Sequence, residues 1–286
     1  MGTVTVNNTS LEYTDQGSGE NLVFVHGSAS DHRTWQAQQE VFAKHYRVIS
    51  YSRRYHWPNQ LIEDGLDYSM SEHIEDLTGL LDALKAKPAH IIGHSYGALM
   101  ALSLATEQPH YVQSLVLAEP PVLGLFVKHS NAPNPAELLK LLFTKPRTGL
   151  AVIKLGVTGL GPAAKAAKKG DMNEVMRLFG RAALGQEIFN HLPTKRKEQV
   201  LANLSAAEFL GSGFLPLDAR QLRQIKIPVL LLTGQKSPRV FHHLARQLQD
   251  CIPHMKRREI LGASHIMHED NVLNYNTAVL SFLEHA

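Results

Sequence analysis

One serine in this chain lies in a pentapeptide whose spacing would make it a nucleophile. Residues 93–97 read Gly-His-Ser-Tyr-Gly, between an apolar run at 89–92 and a run of mostly small residues at 98–105. A serine held in a tight bend between a strand and a helix needs glycine on both sides, because the neighbouring backbone leaves no room for a Cβ. Such a bend would expose the Ser95 hydroxyl and place the Tyr96 N–H at the positive end of the helix, where it would stabilise an oxyanion. We therefore predict nucleophilic chemistry at Ser95.

The elements around this bend follow an alternating order along the chain. Short β-branched runs alternate with helix-like segments, which is typical of parallel strands joined by crossover helices. Residues 4–17 read as an opening hairpin, and six further runs predict strands: LVFVHG, RVISYS, HIIGHS, SLVLAEPP, PVLLLTG and RREILGASH. Helical spacing is found at 35–44, 70–84, 98–108, 240–249 and 272–283. The sequence therefore predicts an α/β fold whose functional residues lie at the carboxyl edge of the sheet.

A stretch of 97 residues, 121–217, interrupts this alternation between the strand that ends at Glu119 and the strand that begins near Pro228. Its pattern is helical around 136–143, 172–183 and 195–204. We expect residues 1–120 and 218–286 to form one core domain. We expect residues 121–217, inserted at the catalytic edge, to form a helical cap, or lid, over the site.

The predicted cap also differs from the rest of the chain in charge. It holds 13 Lys and Arg against 6 Asp and Glu, whereas the whole chain has a formal net charge of +3. Its lysines alternate with Leu and Ala at helical spacing, which indicates solvated faces of amphipathic helices. An attraction for anionic substrates or an acidic surface stays open. No aromatic residues interleave with the basic ones as in a nucleic-acid-binding module, so we expect no nucleic-acid partner.

Composition excludes several classes of protein. With 44% hydrophobic and 19% charged residues, the chain reads as an ordinary globular protein. It has no run of 18 apolar residues and begins without a secretory signal pattern, so we expect no membrane span and a cytoplasmic location. Cys251 is the only cysteine, which excludes an intramolecular disulfide and a zinc site built from cysteines.

Two weaker patterns predict no cofactor. His242 and His243 lack acidic partners at metal-ligand spacing, so we expect no metal. Gly156, Gly159 and Gly161 resemble part of a phosphate loop, but neither a strand nor Gly-Lys-Ser accompanies them. We expect a turn of the cap at these glycines.

The bend at Ser95, the His26-Gly27-Ser28 motif that ends an early strand, and the helical insertion together resemble the α/β-hydrolase-fold superfamily. The resemblance is to its capped esterase, lactonase and dehalogenase type, and it covers nearly the whole chain outside the insertion. It implies that the N–H of Ser28 contributes to an oxyanion hole together with that of Tyr96. Dehalogenase and epoxide hydrolase chemistry needs an aspartate nucleophile, so Ser95 disfavours those two activities.

The resemblance also suggests which histidine would act as the base. His265 ends the sequence Gly-Ala-Ser-His after a strand near the C-terminus, where the family's catalytic histidine lies, and the chain order of nucleophile, acid and histidine is preserved. His268, three residues on, is a competitor. We choose His265 by its position in the chain, because the presence of a histidine is by itself uninformative in a sequence that has 16 of them.

The acid departs from the commonest pattern of the family. Most relatives carry an Asp three residues after a Gly at the end of the strand before the penultimate helix, but LLLTGQKSP has Ser237 there. Some relatives instead use a carboxylate after the strand that follows the nucleophile helix, and Glu119 matches that alternative. A carboxylate there would accept the Nδ1–H of His265 and fix its tautomer. Asp250 and Asp270 are the fallback candidates.

The sequence thus predicts a serine hydrolase that cleaves a carboxylic ester or lactone through an acyl-enzyme on Ser95, without a cofactor. A hydrophobic pocket for a small substrate is suggested by apolar cap residues, namely Leu139, Leu142, Phe143, Leu178, Phe179 and Phe189. Two alternatives stay open: the same fold catalysing carbon–carbon hydrolysis, perhydrolysis or a lyase step, and a non-catalytic member that only binds a ligand. The sequence does not determine the oligomeric state.

Overall fold

An eight-stranded sheet forms the centre of the computed structural model, which describes residues 1–63, 65–128 and 133–286. The strands are β1 (Gly2–Val6), β2 (Thr9–Gln16), β3 (Asn21–Val25), β4 (Arg47–Tyr51), β5 (Ala89–His94), β6 (Val112–Ala118), β7 (Val229–Gly234) and β8 (Lys256–Ile260). Their order in the sheet is β1-β2-β4-β3-β5-β6-β7-β8. The pairs β1·β2 and β2·β4 are antiparallel, and the other neighbours are parallel. The predicted α/β fold with a mostly parallel sheet is confirmed.

The helices of the core follow the strands at nearly the predicted positions. They are α1 (Gln36–Phe42), α2 (Met70–Ala83) and α3 (Tyr96–Glu107) in the first part of the chain, and α12 (Arg239–Cys251), α13 (Met267–Asp270) and α14 (Val272–Leu283) in the last part. Helix α1 is preceded by a 3₁₀ turn, His32–Trp35. The spacing at 35–44 therefore predicted one helix where the chain forms two short helical pieces.

Side chains of the parallel strands are apolar on both faces of the sheet. In β5, Ile91 packs into one apolar layer and Ile92 into the other, and Leu117 and Val116 of β6 alternate in the same way. Helices α2, α3 and α12 cover the first face, and α1 and α14 cover the second. Burial on both faces explains why these strands read as continuous apolar runs.

The insertion between β6 and β7 is helical. Its helices are α4 (Pro135–Thr144), α5 (Pro146–Leu155), α6 (Gly161–Ala167), α7 (Met172–Leu184), α8 (Gln186–His191), α9 (Thr194–Asn203), α10 (Ala206–Leu210) and α11 (Ala219–Leu222). The three helices predicted here are found as α4, α7 and α9. Residues 129–132 of the predicted cap lie outside the described residues.

The turn predicted at the glycine triad is wrong. Gly156–Leu160 forms a π-helical turn that joins α5 to α6 without a break. Gly159 faces α7, and a Cβ there would lie 2.4 Å from the Cβ of Ala182. Close packing between two helices, rather than a change of chain direction, accounts for this glycine.

The continuous run Pro146–Ala167 is long and apolar enough to cross a bilayer by length and composition alone. Helices of the same kind occur in the cores of soluble proteins. Here Val152 and Leu160, from its apolar side, line a cavity inside the protein. The absence of a membrane span therefore stays a prediction from the sequence.

The packing at the sheet centre predicts a large cost for truncating a strand residue. Leu231 in β7 is fully buried, so Leu231→Ala should lower the free energy of unfolding by about 2–5 kcal/mol through lost burial and a residual cavity. Leu273→Ala is the control because that side chain is 76% exposed in α14, and its effect should stay within about 0.5 kcal/mol. Urea unfolding would measure both. Equal effects of the two substitutions would contradict the packing described here.

Candidate active site

Ser95 occupies a sharp bend between β5 and α3. Its backbone has φ 51° and ψ −116°, a conformation that non-glycine residues rarely adopt. The Ser95 N–H donates to the Ala118 carbonyl at 2.8 Å, and the Ser95 carbonyl accepts from the Leu99 N–H at 3.0 Å. Hydrogen bonds to β6 and to the first turn of α3 therefore hold the bend in place.

The glycines on each side of Ser95 sit where the backbone is crowded. A Cβ on Gly93 would lie 2.5 Å from the Ala98 Cα, and a Cβ on Gly97 would lie 2.3 Å from the carbonyl oxygen of Val25. Both contacts are with backbone atoms, which cannot rotate away as a flexible side chain would. The spacing of the pentapeptide thus follows from contacts with α3 and with the end of β3.

Glu119 and His265, which the sequence analysis paired, lie in direct contact. Glu119 follows β6 and His265 follows the turn after β8, and both side chains are buried. The distance between Glu119 Oε2 and His265 Nδ1 is 2.6 Å. Donation of the Nδ1 proton to the carboxylate leaves the lone pair on Nε2, the nitrogen that a general base would use.

Two further donors hold the Glu119 carboxylate. Its Oε1 accepts the Gly234 N–H at 2.9 Å, and its Oε2 accepts the Ser237 hydroxyl at 3.0 Å. Ser237 is the residue that stands where most relatives carry the acid. Here it orients an acid supplied by the neighbouring strand, a contact that the sequence analysis did not foresee.

Burial sets the charge states of this pair. It lowers the pKa of the His265 imidazole, so the ring is neutral at neutral pH. Burial also raises the pKa of Glu119, and the hydrogen bonds from Ser237 and Gly234 oppose that change. A neutral imidazole with an unprotonated Nε2 is the form that can remove a proton from a hydroxyl.

Neighbouring rings fix the plane of His265. Phe241 stacks on it with ring centroids 4.0 Å apart and an angle of 20° between the planes. His94, next to Ser95, donates its Nε2 proton to the His265 carbonyl at 2.9 Å. The histidine is therefore tied to the nucleophile bend by a hydrogen bond as well as to the acid.

Ser95 and His265 line the same small cavity, of about 60 Å³. A larger cavity, of about 260 Å³, adjoins it, and Ser28 and Phe179 line both. Side chains of the insertion form much of the wall of each cavity. The larger one is mainly apolar, with Leu123, Val127, Val152, Leu155 and Phe209 among its lining residues.

The backbone loop at residues 26–28 passes beside the nucleophile. A Cβ on Gly27 would lie 3.1 Å from the Ser95 Cβ, so the loop and Ser95 are in contact. The Tyr96 N–H is the first of α3, where N–H groups lack partners within the helix. Both expected oxyanion donors, the N–H groups of Ser28 and Tyr96, therefore belong to segments that flank Ser95.

A buried polar network supports the loop at residues 26–28. Arg53 donates from Nη2 to a backbone carbonyl of that loop at 3.1 Å and from Nη1 to the Tyr68 hydroxyl at 2.8 Å. Burial keeps His56 neutral by lowering its pKa, and its Nδ1 donates to the Ser30 carbonyl at 2.8 Å. The His56 Nε2 must then accept the Tyr68 hydroxyl proton across 2.7 Å. Sequence reasoning gave Arg53 and Tyr68 no role.

The alternative candidates for the acid and the base contact other groups. Asp270 accepts from the N–H and the hydroxyl of Ser264, and His268 Nε2 lies 3.0 Å from the Thr34 hydroxyl. Asp250 lines a separate surface cavity with Cys251. Cys251 itself is buried, and burial raises the pKa of its thiol.

The pocket predicted from apolar cap residues is partly wrong. Phe179 lines both cavities and Phe189 the smaller one, but Leu139 is 55% and Phe143 is 81% exposed. Leu142 and Leu178 are half-buried and line neither cavity. Helical spacing showed that these residues are apolar on one side of a helix, but it did not show which helices reach the site.

Within the described ranges, no group of three or more His, Cys, Asp or Glu side chains is arranged to hold a metal ion. His242, which the sequence analysis considered with His243, lies 3.9 Å from Glu259 through Nδ1.

The chain matches the model of a family described as the alpha/beta hydrolase family over residues 22–275. It belongs to the alpha/beta hydrolase family. Among curated members, the uncharacterized hydrolase YraK of Bacillus subtilis is 32% identical over 136 residues, which are 48% of this chain and 49% of that protein. The (E)-2-((N-methylformamido)methylene)succinate hydrolase of Acinetobacter baylyi is 23% identical over 97% of this chain and 95% of its own length. A solved esterase from Thermogutta terrifontis shares the alpha/beta hydrolase fold, with a TM-score of 0.72 and 20% identity over 99% of this chain and 96% of that chain.

Buried histidines in and around the site predict that acid destabilises the fold. Burial lowers the pKa of His26, His56, His73, His94, His265 and His268. Below pH 6.5 the unfolded chain binds protons that the folded chain excludes, so stability should fall as the pH is lowered. Each histidine should remove about 1 kcal/mol between pH 6.5 and 5.5. Urea unfolding at the two pH values would measure the sum.

His73 offers the matched variant for this measurement. Both of its ring nitrogens are buried and lack hydrogen-bond partners in the described part of the chain. His73→Phe should therefore reduce the loss between pH 6.5 and 5.5 by about 1 kcal/mol. A wild-type stability that is the same at both pH values would refute this account.

Proposed function

We propose that this chain is a serine hydrolase that cleaves carboxylic esters or lactones through an acyl-enzyme on Ser95. The observation that carries the proposal is the buried contact between His265 and Glu119 at 2.6 Å, next to a strained serine that shares a cavity with that histidine. In this mechanism Ser95 is the nucleophile, His265 the general base and Glu119 the acid that orients it. This is the arrangement that acyl transfer by a serine requires.

Acylation begins when His265 Nε2 takes the Ser95 proton as Oγ attacks the carbonyl carbon. The imidazolium that forms is stabilised by Glu119, whose two oxygens already accept hydrogen bonds from Gly234 and Ser237. His265 then gives its proton to the leaving alkoxide, or to the ring oxygen of a lactone. Water activated by the same histidine releases the acyl group and restores Ser95.

The oxyanion of the tetrahedral intermediate would be held by the N–H groups of Ser28 and Tyr96. Support for this assignment comes from the contact between the loop at residues 26–28 and Ser95, and from the position of Tyr96 at the start of α3. Loss of one such donor typically lowers turnover by about 100- to 1000-fold. The helix dipole of α3 adds to the same effect.

We also propose that residues 121–217 act as the cap of this enzyme. Their apolar side chains line both cavities next to the catalytic residues, which favours a small, largely hydrophobic substrate. The chemistry assigned here needs no cofactor. A cytoplasmic location fits the single cysteine, and it stays part of the proposal.

Substitution of the acid tests the mechanism directly. Glu119→Gln keeps the shape of the side chain but removes the charge that offsets the imidazolium, so kcat for p-nitrophenyl hexanoate should fall by about 100- to 10,000-fold. Asp250→Asn is the matched control, because it neutralises a carboxylate on a separate surface cavity, and kcat should stay within about two-fold. A fluorophosphonate probe should label wild type at Ser95 and leave Ser95→Ala unlabelled. Unchanged turnover in Glu119→Gln would remove Glu119 from the mechanism.

The pH dependence of wild-type activity gives a second test. His265 must be neutral to act as the base, and burial lowers its pKa below the ordinary value of about 6.5. Glu119 must be ionised to support this base, and burial raises its pKa to about 7, so kcat/KM should fall as the pH is lowered through about 7 because Glu119, and not His265, takes up a proton. Stopped assays with p-nitrophenyl hexanoate, corrected for unfolding at each pH, would measure the profile. An acid limb centred well above pH 7 would match neither group and would contradict both assignments.

A further inference from the structure

Helices α4 and α5 of the insertion expose large apolar side chains that the proposed mechanism does not use. Four of them, in α4, α5 and the π-helical turn after α5, are each more than half exposed: Leu139, Phe143, Leu150 and Val157. A single exposed apolar residue needs no explanation, whereas a cluster of them marks an interaction surface. The packing of the two helices decides which of these descriptions applies.

The contact between α4 and α5 places the four side chains on one side of the pair. The two helices are joined by a single residue, and a Cβ on Gly149 would lie 3.0 Å from the Leu142 Cα, so α5 turns back along α4. In helices that run back along each other, positions rotated by about 100° from the contact residues project to the same side. Phe143 and Leu150 directly follow the two contact residues, and the other two lie on the same helix faces at helical spacing. The four therefore form one cluster, which we call the α4–α5 surface.

The same stretch of chain carries a strong positive charge. Residues 135–170 contain seven Lys and Arg against one acidic residue. Lys140 on α4, and Arg147 and Lys154 on α5, are exposed beside the α4–α5 surface. None of the seven forms an ion pair with a carboxylate in the described part of the chain. Their charges are therefore available to an anionic partner.

Burial distinguishes this part of the insertion from an ordinary core helix. The continuous run Pro146–Ala167 is apolar enough to enter a bilayer, yet only 28% of its most apolar stretch is buried inside the protein. A helix with apolar residues on one face and lysines or arginines beside them lies in the plane of a membrane interface. Its apolar side chains then enter the lipid, while the cations stay at the headgroups. The α4–α5 surface has this arrangement of residues.

The larger cavity reaches the protein surface at the same place. Val157 belongs to the α4–α5 surface and also lines that cavity, and Gly161, about one turn further on, is likewise exposed and lines it. Residues that are exposed and line a cavity stand at its mouth. Val152 and Leu160 continue the apolar lining inward. An apolar molecule at the α4–α5 surface is therefore next to the cavity that adjoins the one at Ser95.

We propose that the α4–α5 surface binds the surface of an anionic lipid bilayer. The four apolar side chains insert among the lipids, and Lys140, Arg147 and Lys154 contact the headgroups. A neutral bilayer offers no partner for the cations, and an acidic soluble protein offers no apolar medium for the inserted side chains. The inference goes beyond the proposed function and does not depend on it. Binding in this orientation places the mouth of the larger cavity against the bilayer, from which an apolar ester would enter.

Cosedimentation of the full chain with vesicles tests the inference without relying on turnover. Vesicles of equal parts phosphatidylglycerol and phosphatidylcholine should bind wild type at least about 10-fold more tightly than vesicles of phosphatidylcholine alone, because each Lys or Arg near an anionic surface adds to the attraction. Raising the salt concentration from about 0.1 M to about 1 M should weaken binding to the anionic vesicles, because salt screens the charges.

Two variants separate the apolar contribution from the charged one. Phe143→Ser/Leu150→Ser removes two inserted side chains and should weaken binding to the anionic vesicles by at least about 10-fold. Lys140→Gln/Lys154→Gln removes two cations and should lower the preference for anionic over neutral vesicles by at least about 5-fold. All four side chains are exposed, so neither variant disturbs the core.

A matched control makes the same kinds of substitution outside the insertion. Leu273→Ser/Lys44→Gln changes an exposed apolar residue and an exposed cation of the core domain and should bind both kinds of vesicle as wild type does. Leu139→Ser/Val157→Ser is a second apolar variant for use if the first fails to fold, with circular dichroism as the check. It should weaken binding to the anionic vesicles in the same direction.

Three results would overturn the inference. The first is equal binding of wild type to the two kinds of vesicle, and the second is binding that survives both apolar variants. The third is a dimer in sedimentation velocity that Phe143→Ser/Leu150→Ser dissociates, which would assign the surface to a second copy of this chain. Fluorophosphonate labelling at Ser95 tests the proposed function separately. Labelling without vesicle binding would reject only the membrane surface, and vesicle binding without labelling would reject only the serine hydrolase.

Discussion

The hydrogen bond between His265 and Glu119 is the constraint around which this site is arranged. It joins two buried side chains that are 146 residues apart in sequence, and each needs a separate reason to be stable where water is excluded. For Glu119 those reasons are the Gly234 N–H and the Ser237 hydroxyl, both at the end of the next strand. For His265 they are the stacked Phe241 ring and the hydrogen bond from His94. The sheet is what allows these groups to meet, because β5, β6 and β7 end side by side.

Strained backbone conformations occur at this carboxyl edge of the sheet. Ser95 and Glu119 both have positive φ values, of 51° and 47°, although neither is glycine. Such conformations cost about 1–3 kcal/mol each, and they persist because the buried strands on both sides determine the path of the chain. The apolar layers on the two faces of the sheet thus stabilise a geometry that the two residues would not adopt alone.

The insertion contributes apolar walls to the site. Its charged residues are mostly basic and mostly solvated, whereas the surfaces that face the catalytic edge are apolar and enclose two adjoining cavities. Glu208 is an exception on both counts, since it is acidic and its carboxylate is buried. The larger cavity is lined jointly by the insertion, through residues such as Glu208, and by the core, through Ser28, Tyr68 and Tyr96. A substrate group placed there would contact both parts of the protein.

The sequence by itself determined the elements and the nucleophile bend, because these depend on local rules: apolar runs for buried strands, helical spacing, and glycines beside Ser95. Glu119 was indicated by the resemblance to the α/β-hydrolase fold, because it stands at the alternative position of the acid, directly after an apolar run. Only the tertiary structure decided the bond from Ser237 to Glu119, the exposure of Leu139 and Phe143, and the burial of Glu208 near Arg53. Each of these depends on which elements lie side by side across long sequence separations. Helix α10 has five residues, too few for periodicity to show which side is buried, so the place of Glu208 follows from packing alone.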